Sequence, residues 1–258
     1  MAYRILFALF AVSSAARAQT SAVDREAALK RLREFARTYE ARLEDFRCNK
    51  VISRIATRVG KENKWKHVDE SEEEIYYLRH RERRQLITID GKPSQGRNRL
   101  KYGFTVGGEF GLLGNIFSDK ANPELGWDHQ EGAASSPICV FRYHVAETDA
   151  PLVVSMNRTR VELGHHGTVY SHCDTGVVTR LDTASDSAPD WDIELSTSIR
   201  FAPTLISNKQ FQLPQSAEDL NRINGQITKA LVVFRNYRKF DASSEITFDT
   251  GEETLGPK

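Results

Sequence analysis

The sequence predicts an α+β fold in which one large antiparallel sheet of about ten strands is covered by two helices. Three observations lead to this prediction. Hydrophobic residues recur at three- and four-residue steps only over 22–46 and, more briefly, over 110–117. Most other segments alternate apolar and polar residues, which is typical of strands with one buried face. Their connections are short and rich in Gly, Pro, Asp, Asn and Ser, which favours antiparallel hairpins over crossovers.

Composition limits the class of protein. The 258 residues are 40% hydrophobic, which is too apolar for a disordered chain and sufficient for a sizeable core. The 36 Lys and Arg residues nearly balance the 35 Asp and Glu residues. This excludes the basic excess that is typical of nucleic-acid-binding proteins.

The N-terminus has the three parts of a secretory signal peptide. Arg4 is followed by an apolar run over 5–12, and Ala16-Arg17-Ala18 fits the small-x-small cleavage pattern. A membrane anchor would need about twenty apolar residues. We therefore predict cleavage after residue 18 and a secreted or periplasmic protein that is peripheral to a membrane at most. The remainder is expected to be one domain over 19–250, with a frayed tail over 251–258.

The predicted N-terminal helix spans 22–46, with Thr20 or Ser21 as its N-cap. Its apolar positions are Ala28, Leu29, Leu32, Phe35, Ala36, Tyr39, Leu43 and Phe46. A short second helix is expected after Gly107-Gly108. Both helices should cover one face of the sheet.

The strands are predicted from their period-two patterns and from turn residues such as Asp90-Gly91-Lys92-Pro93. Residues 119–137 are expected to form a loop around Trp127. The predicted strand ranges are 51–59, 72–79, 83–90, 97–106, 138–147, 152–163, 166–173, 177–183, 193–202, 209–213, 226–240 and 245–248.

Three cysteines, Cys48, Cys139 and Cys173, allow three single pairings and leave one thiol over. An exported protein can form disulfides, so one disulfide and one buried thiol are expected. Three buried free cysteines are the alternative, since Cys often packs as a small hydrophobe.

Two Asp-Thr-Gly triplets, at 174–176 and 249–251, resemble the paired aspartates of pepsin-like proteases. The second triplet lies too close to the C-terminus to be followed by a β lobe. Both are therefore interpreted as turns, in which Asp bonds its own backbone and Gly takes positive φ. A hydrolase that uses Asp174 is the least favoured hypothesis.

His165, His166, His172 and Cys173 form the densest group of metal-ligand residue types. Residues 164–167 look like a hairpin tip, and adjacent strand residues such as His172 and Cys173 point to opposite faces. We expect loop histidines and no metal. The glycines over 103–114 match no phosphate-binding spacing, so no cofactor is expected.

Two charge blocks of opposite sign lie close together, acidic over 69–74 and mainly basic over 79–84. A hairpin with solvated, segregated charges is the favoured interpretation. The alternative is an electrostatic docking surface for a partner or for lipid headgroups.

Several stretches together resemble secreted bacterial proteins of the LolA/LolB-like, outer-membrane lipoprotein-sorting group. They are Phe46-Arg47-Cys48, the hairpin that closes on 89–93, Gly107–Leu113 with Ile116-Phe117, Val169-Tyr170 leading to 174–176, 211–214 and 234–240. The resemblance implies an open half-barrel whose concave face is covered by helices. It also implies a periplasmic role in holding acyl chains and no catalytic residues.

We therefore expect a non-catalytic binding protein for an apolar ligand, such as a lipid or a lipoprotein acyl chain. The predicted ligand-binding residues form an apolar lid: Phe104, Phe110, Leu113, Ile116, Phe117 and Trp127. The alternative is an envelope protein-interaction domain with a filled core, docking through an edge strand or the charge blocks. A continuous apolar cavity of about 300 Å³ or more would favour the carrier.

Overall fold

The computed structural model describes residues 23–94, 108–156, 159–188 and 190–240. Two helices, α1 (Arg25–Arg42) and α2 (Leu112–Ile116), accompany thirteen strands in this part of the chain. The first six strands are β1 (Phe46–Arg58), β2 (Lys66–Leu78), β3 (Arg81–Ile89), β4 (Lys92–Pro93), β5 (Glu124–Glu131) and β6 (Ile138–Val145). The others are β7 (Leu152–Met156), β8 (Thr159–Leu163), β9 (His165–His172), β10 (Val178–Ser185), β11 (Ile193–Ile206), β12 (Lys209–Ile223) and β13 (Gln226–Lys239).

Eleven of these strands form one open sheet in the order β4-β3-β2-β1-β13-β12-β11-β10-β9-β6-β5. Every pair of neighbours is antiparallel. Within the described residues, the sheet ends at β4 on one side and at β5 on the other and does not close on itself. The predicted fold class, an open antiparallel half-barrel with two helices, is confirmed.

Helix α1 is fixed by an N-terminal cap and one apolar stripe. The Asp24 carboxylate accepts a hydrogen bond of 3.1 Å from the backbone N–H of Ala27. The residues on its buried side recur at three- and four-residue steps: Ala28, Leu32, Phe35, Ala36 and Tyr39. The helix is shorter than the predicted 22–46, because Leu43 turns to an extended backbone and Phe46 already begins β1.

The face of the sheet beneath the helices carries an apolar row that crosses seven strands at one height. The row follows the strand register. Its members are Ile52, Val232, Ala217, Ile199, Leu181, Val169 and Phe141, and all are buried. Because one residue from each strand points the same way at each level, the row forms a continuous floor for the core.

Three strand predictions need correction. Residues 124–131 form β5 instead of part of a loop, and the predicted strand over 152–163 is the separate β7–β8 hairpin. Strand β12 continues to Ile223, well beyond the predicted end at 213. The predicted strands over 97–106 and 245–248 lie outside the described residues.

The β7–β8 hairpin makes a second, smaller core with the same sheet. Val154, Val161 and Leu163 of the hairpin pack with Ile193 and Leu195 of β11. These β11 residues lie at the end of the sheet where β10 ends and β11 begins. The hairpin therefore covers an end of the sheet that the helices do not reach.

The cysteines follow the favoured prediction. Cys139 of β6 and Cys173, just after β9, form a disulfide, and Cys48 is a buried free thiol. No helix in the described ranges is long and apolar enough to cross a membrane.

Candidate functional site

The predicted lid residues lie in the packed core. Phe110, Leu113 and Ile116 are fully buried, and Phe117 is nearly so. The Phe110 ring lies 5.1 Å from that of Phe46 and 5.4 Å from that of Phe234, in edge-on contacts. Phe110 therefore packs over β1 and β13, and Leu113, Ile116 and Phe117 belong to the same core. Phe104 lies outside the described residues.

Trp127 lies near the opposite edge of the sheet, on the same face. It is in the edge strand β5, where its ring packs edge-on against Phe141 at 5.5 Å. The guanidinium of Arg25, the first residue of α1, lies over the same ring, 5.2 Å from its centre. Trp127 therefore belongs to the same core as Phe110, but it contacts different elements.

A partly open cavity of about 230 Å³ lies between α1 and the sheet. Helix α1 contributes aromatic and aliphatic surface and one cation, and the sheet side contributes apolar and amide groups. The lining residues are Phe35, Tyr39, Arg42, Leu43, Val177, Gln210, Phe211 and Gln212. Gln212 is held in place, because its side-chain amide donates to the carbonyl of Val178 at 2.8 Å. The cavity can accept an apolar chain with a negative group beside exposed Arg42.

Below the apolar row, the same face carries buried charges. The Arg54 guanidinium donates to Asp69 at 2.6 Å and to Ser71 at 3.1 Å. Arg54 is fully buried and Asp69 nearly so. The prediction of a solvated acidic block is therefore wrong for alternate residues, since Asp69, Ser71 and Glu73 of β2 face inward.

A second buried ion pair attaches the start of α2 to the sheet. The Lys50 ammonium donates to the carboxylate of Glu109, and both side chains are buried. The same ammonium lies 5.6 Å from the centre of the Phe234 ring. Because a buried charge without its partner is costly, this pair helps to hold the short segment before α2 against β1.

Asp219 of β12 is a buried carboxyl on this face with a perturbed pKa. The Thr197 hydroxyl donates to its Oδ1 at 2.5 Å, while its Oδ2 and both amide atoms of Asn221 have no hydrogen-bond partner among the described residues. Burial raises the pKa of Asp219 to about 6, although the hydrogen bond from Thr197 acts in the opposite direction. A carboxyl that titrates near neutrality can exchange a proton, but only 1% of Asp219 is exposed to a substrate.

The histidine-rich region contains an imidazole–carboxylate–imidazole arrangement. His144 and His166 contact the two carboxylate oxygens of Asp186 at 3.0 and 2.8 Å. His165 is buried and bonds the carbonyl of Ala150, whereas Cys173 is in the disulfide. His165 and His166 begin β9, so the predicted hairpin tip is wrong. The described residues include no group of three or more His, Cys, Asp or Glu side chains that could hold a metal ion.

The first Asp-Thr-Gly triplet is a turn, as predicted. Gly176 has φ +72°, and its backbone N–H donates to the carbonyl of His172 at 2.8 Å. Asp174 is exposed at the surface of this turn. The second triplet lies outside the described residues.

A second, larger groove of about 370 Å³ crosses β10 to β13. Acidic and basic side chains form its walls, and small residues lie between them. The lining includes Arg180, Asp182, Glu218 and Lys229, with Ala184, Ser196 and Ser198 between them. Arg180 pairs with Asp182 at 2.7 Å and Lys229 with Glu218 at 3.3 Å, so these charged side chains of the lining are paired with each other.

A LolA superfamily protein from Nitrosomonas europaea aligns over 85% of this chain and 95% of its own, with 11% identity and a TM-score of 0.37. A DUF1329 family protein from Desulfovibrio piger aligns over 83% and 91%, with 10% identity and a TM-score of 0.34. No family model and no curated protein matches the sequence.

A third solved structure is an outer membrane lipoprotein-sorting protein domain from Vibrio parahaemolyticus. It aligns over 88% of this chain and 95% of its own, with 11% identity and a TM-score of 0.35.

Proposed function

We propose that this protein is a non-catalytic exported binding protein that holds an apolar chain between α1 and the open sheet. The chain would be the acyl group of a lipid or lipoprotein, and the protein would work in the periplasm or outside the cell. The observation that carries the proposal is the cavity of about 230 Å³ with Phe35, Leu43, Val177 and Phe211 in its lining. One similar structure is that of an outer membrane lipoprotein-sorting protein domain, and the proposal applies the same class of ligand to this chain.

The size of the cavity limits what it holds in this conformation. Ligand pockets usually measure about 300–1,000 Å³, so this cavity accepts only the end of an acyl chain. A longer chain requires α1 to move away from the sheet. The predicted ligand-binding residues Phe110, Leu113, Ile116 and Phe117 would then contact the chain, because they lie in the core that α1 covers.

A cavity-filling variant tests the proposal. Val177→Phe should lower the affinity for a dansyl-labelled fatty acid by about tenfold or more, because the larger side chain occupies the cavity. Fluorescence titration measures the affinity, and thermal unfolding checks the fold. Val233→Phe is the matched control, since Val233 is half-exposed on the opposite face of β13. The proposal fails if the wild-type protein does not bind the probe, or if both variants bind it equally.

A protein-interaction domain is the second candidate, and the filled core favours it. The β5 edge of the sheet is poorly suited to strand addition, because β5 contains a bulge. A partner would instead lie in the groove over β10 to β13. A protein that binds no acyl probe but loses a stoichiometric partner on Ser196→Arg in that groove would favour this candidate.

A further inference from the structure

At one end of the sheet three loops are connected, and two of them present exposed apolar side chains. The loops are the β1–β2 loop over 59–65, the β12–β13 turn Asn224-Gly225 and residues 190–192 before β11. We call these three loops the rim. Val59 is 45% exposed, Trp65 39% and Trp191 40%. Apolar side chains that are exposed together, unlike single scattered ones, mark a candidate interaction surface.

Backbone hydrogen bonds join the three loops of the rim. The N–H of Val59 donates to the carbonyl of Gly225 at 2.9 Å, and the N–H of Asn224 donates to the carbonyl of Asp192 at 3.1 Å. The β1–β2 loop is also fixed internally, because the Thr57 hydroxyl donates to the carbonyl of Lys61 at 2.7 Å. Val59, Trp65 and Trp191 are therefore held on one connected structure.

The β1–β2 loop is strongly basic around its tryptophan. Arg58, Lys61, Lys64 and Lys66 are exposed, against one acidic residue, Glu62. None of these four cations forms an ion pair with a residue that the structure describes. Glu62 is directed at its own loop, since its carboxylate accepts from the N–H of Gly60 at 2.8 Å.

Trp191 is flanked by acidic residues, unlike Trp65. Asp190 is exposed beside it, while Asp192 is paired with Arg222 at 3.1 Å. The positive potential of the rim therefore centres on Trp65, which stands between Lys64 and Lys66. An amphipathic indole between two lysines fits the boundary between lipid headgroups and acyl chains, where Trp is enriched and Lys reaches the phosphates.

We propose that the rim docks on an anionic phospholipid bilayer, with Trp65 inserted at the headgroup level and Lys61, Lys64 and Lys66 against the phosphates. An acidic protein would satisfy the lysines but would gain less from a single exposed indole between them. The site is separate from the acyl cavity, because Phe211 and Asn224 lie near opposite ends of β12, about 40 Å apart along an extended strand. The inference therefore goes beyond the proposed carrier function.

Vesicle binding tests the inference with the purified protein. We expect it to co-sediment with vesicles of equal parts phosphatidylglycerol and phosphatidylcholine, to ignore vesicles of phosphatidylcholine alone, and to dissociate as salt is added. Trp65→Ser and Lys64→Glu should each weaken binding by about tenfold or more. Brominated lipid should quench tryptophan fluorescence in the wild type and much less in Trp65→Ser.

Matched controls lie at the other end of the sheet. Leu205→Ser removes an exposed apolar side chain, and Lys239→Glu changes the net charge as Lys64→Glu does, so both should bind vesicles like the wild type. Equal binding to both kinds of vesicle overturns the inference, as does normal binding by Trp65→Ser. Tight binding to polyglutamate that Trp65→Ser leaves unchanged would indicate an acidic protein partner instead. Fatty-acid binding in the absence of vesicles reports on the carrier function separately, since Trp65→Ser should leave it intact.

Discussion

At the scale of single residues, the inner face of β12 couples stability to pH through Asp219. Its pKa is raised from 3.8 to about 6 by burial, against the opposing hydrogen bond from Thr197. Between these two values the folded protein binds more protons than the unfolded chain, so the stabilisation is complete below pH 3.8 and is lost as the pH rises towards 6.

Asp219→Asn should remove this dependence, because Asn keeps an acceptor for Thr197 and carries no charge. Relative to the variant, the wild-type free energy of unfolding should fall by about 1–3 kcal/mol across this pH range. Urea denaturation at a series of pH values measures it. The control is Glu218→Gln, the neighbouring residue on the outer face, and it should follow the wild type. Parallel curves for Asp219→Asn and the wild type would contradict the raised pKa.

The buried charges were the part of the site that the sequence did not reveal. Asp69, Ser71 and Glu73 alternate with Glu70, Glu72 and Glu74, and a uniformly charged run hides which set faces inward. A signal was present: Lys50 and Arg54 recur at even spacing in β1, opposite Glu73 and Asp69 in the register. Opposite charges at paired positions of two adjacent strands can lie on either face of the sheet. They indicate a buried ion pair only when it is known which face points into the core.

At the scale of elements, the turn after β9 determines how closely α1 can lie on the sheet. A Cβ added to Gly176 would lie 2.4 Å from the backbone carbonyl of Arg31 in α1. Gly176 also has φ +72°, and Gly225 in the β12–β13 turn has nearly the same φ, +71°, with nothing within 4 Å of its added Cβ. The two glycines therefore separate the effect of helix contact from the effect of backbone conformation.

Both Gly→Ala variants should destabilise the protein, and Gly176→Ala should do so more. A left-handed conformation costs Ala about 1–2 kcal/mol at either site. Displacement of α1 should add about 1–3 kcal/mol at Gly176 alone. The difference in free energy of unfolding, measured with urea, isolates the helix contact. Equal losses in free energy of unfolding for the two variants would mean that the contact between Gly176 and the backbone of α1 does not contribute to stability.

Element types were predicted best where the residue pattern was strong, as in α1, β1 and β13. Strand β5 was missed because Gly126, Asp128 and the flanking acidic residues look like a loop, and only its pairing with β6 makes it a strand. The β7–β8 hairpin was predicted as one strand because no Gly or Pro interrupts 152–163. Edge strands and hairpins of this kind depend on neighbours that the local pattern does not specify.

At the scale of the whole molecule, one sheet carries two separate surfaces. The end of the sheet where β12 begins packs against α1 around the apolar cavity. The opposite end, where β12 finishes, forms the rim with its exposed tryptophans. Between them lie the apolar row and the buried charges, which are shared by most of the strands. A substitution at one surface should therefore leave the structure of the other unchanged, provided that the sheet between them stays intact.

The integrity of this sheet depends in part on the disulfide between Cys139 and Cys173. It closes a loop with a sequence separation of 34 that contains most of β6, the β7–β8 hairpin and β9. Constraining a loop of this length in the unfolded chain stabilises a protein by about 3–4 kcal/mol. Reductant should therefore lower the free energy of unfolding by about that amount. Because the strands form one continuous sheet, unfolding should remain a single transition.

Cys139→Ala/Cys173→Ala should be as unstable as the reduced wild type and insensitive to reductant, which excludes an effect through the free thiol of Cys48. Thermal unfolding followed by circular dichroism, with and without reductant, measures both proteins. A second transition in the reduced protein would mean that the segment from β6 to β9 unfolds separately.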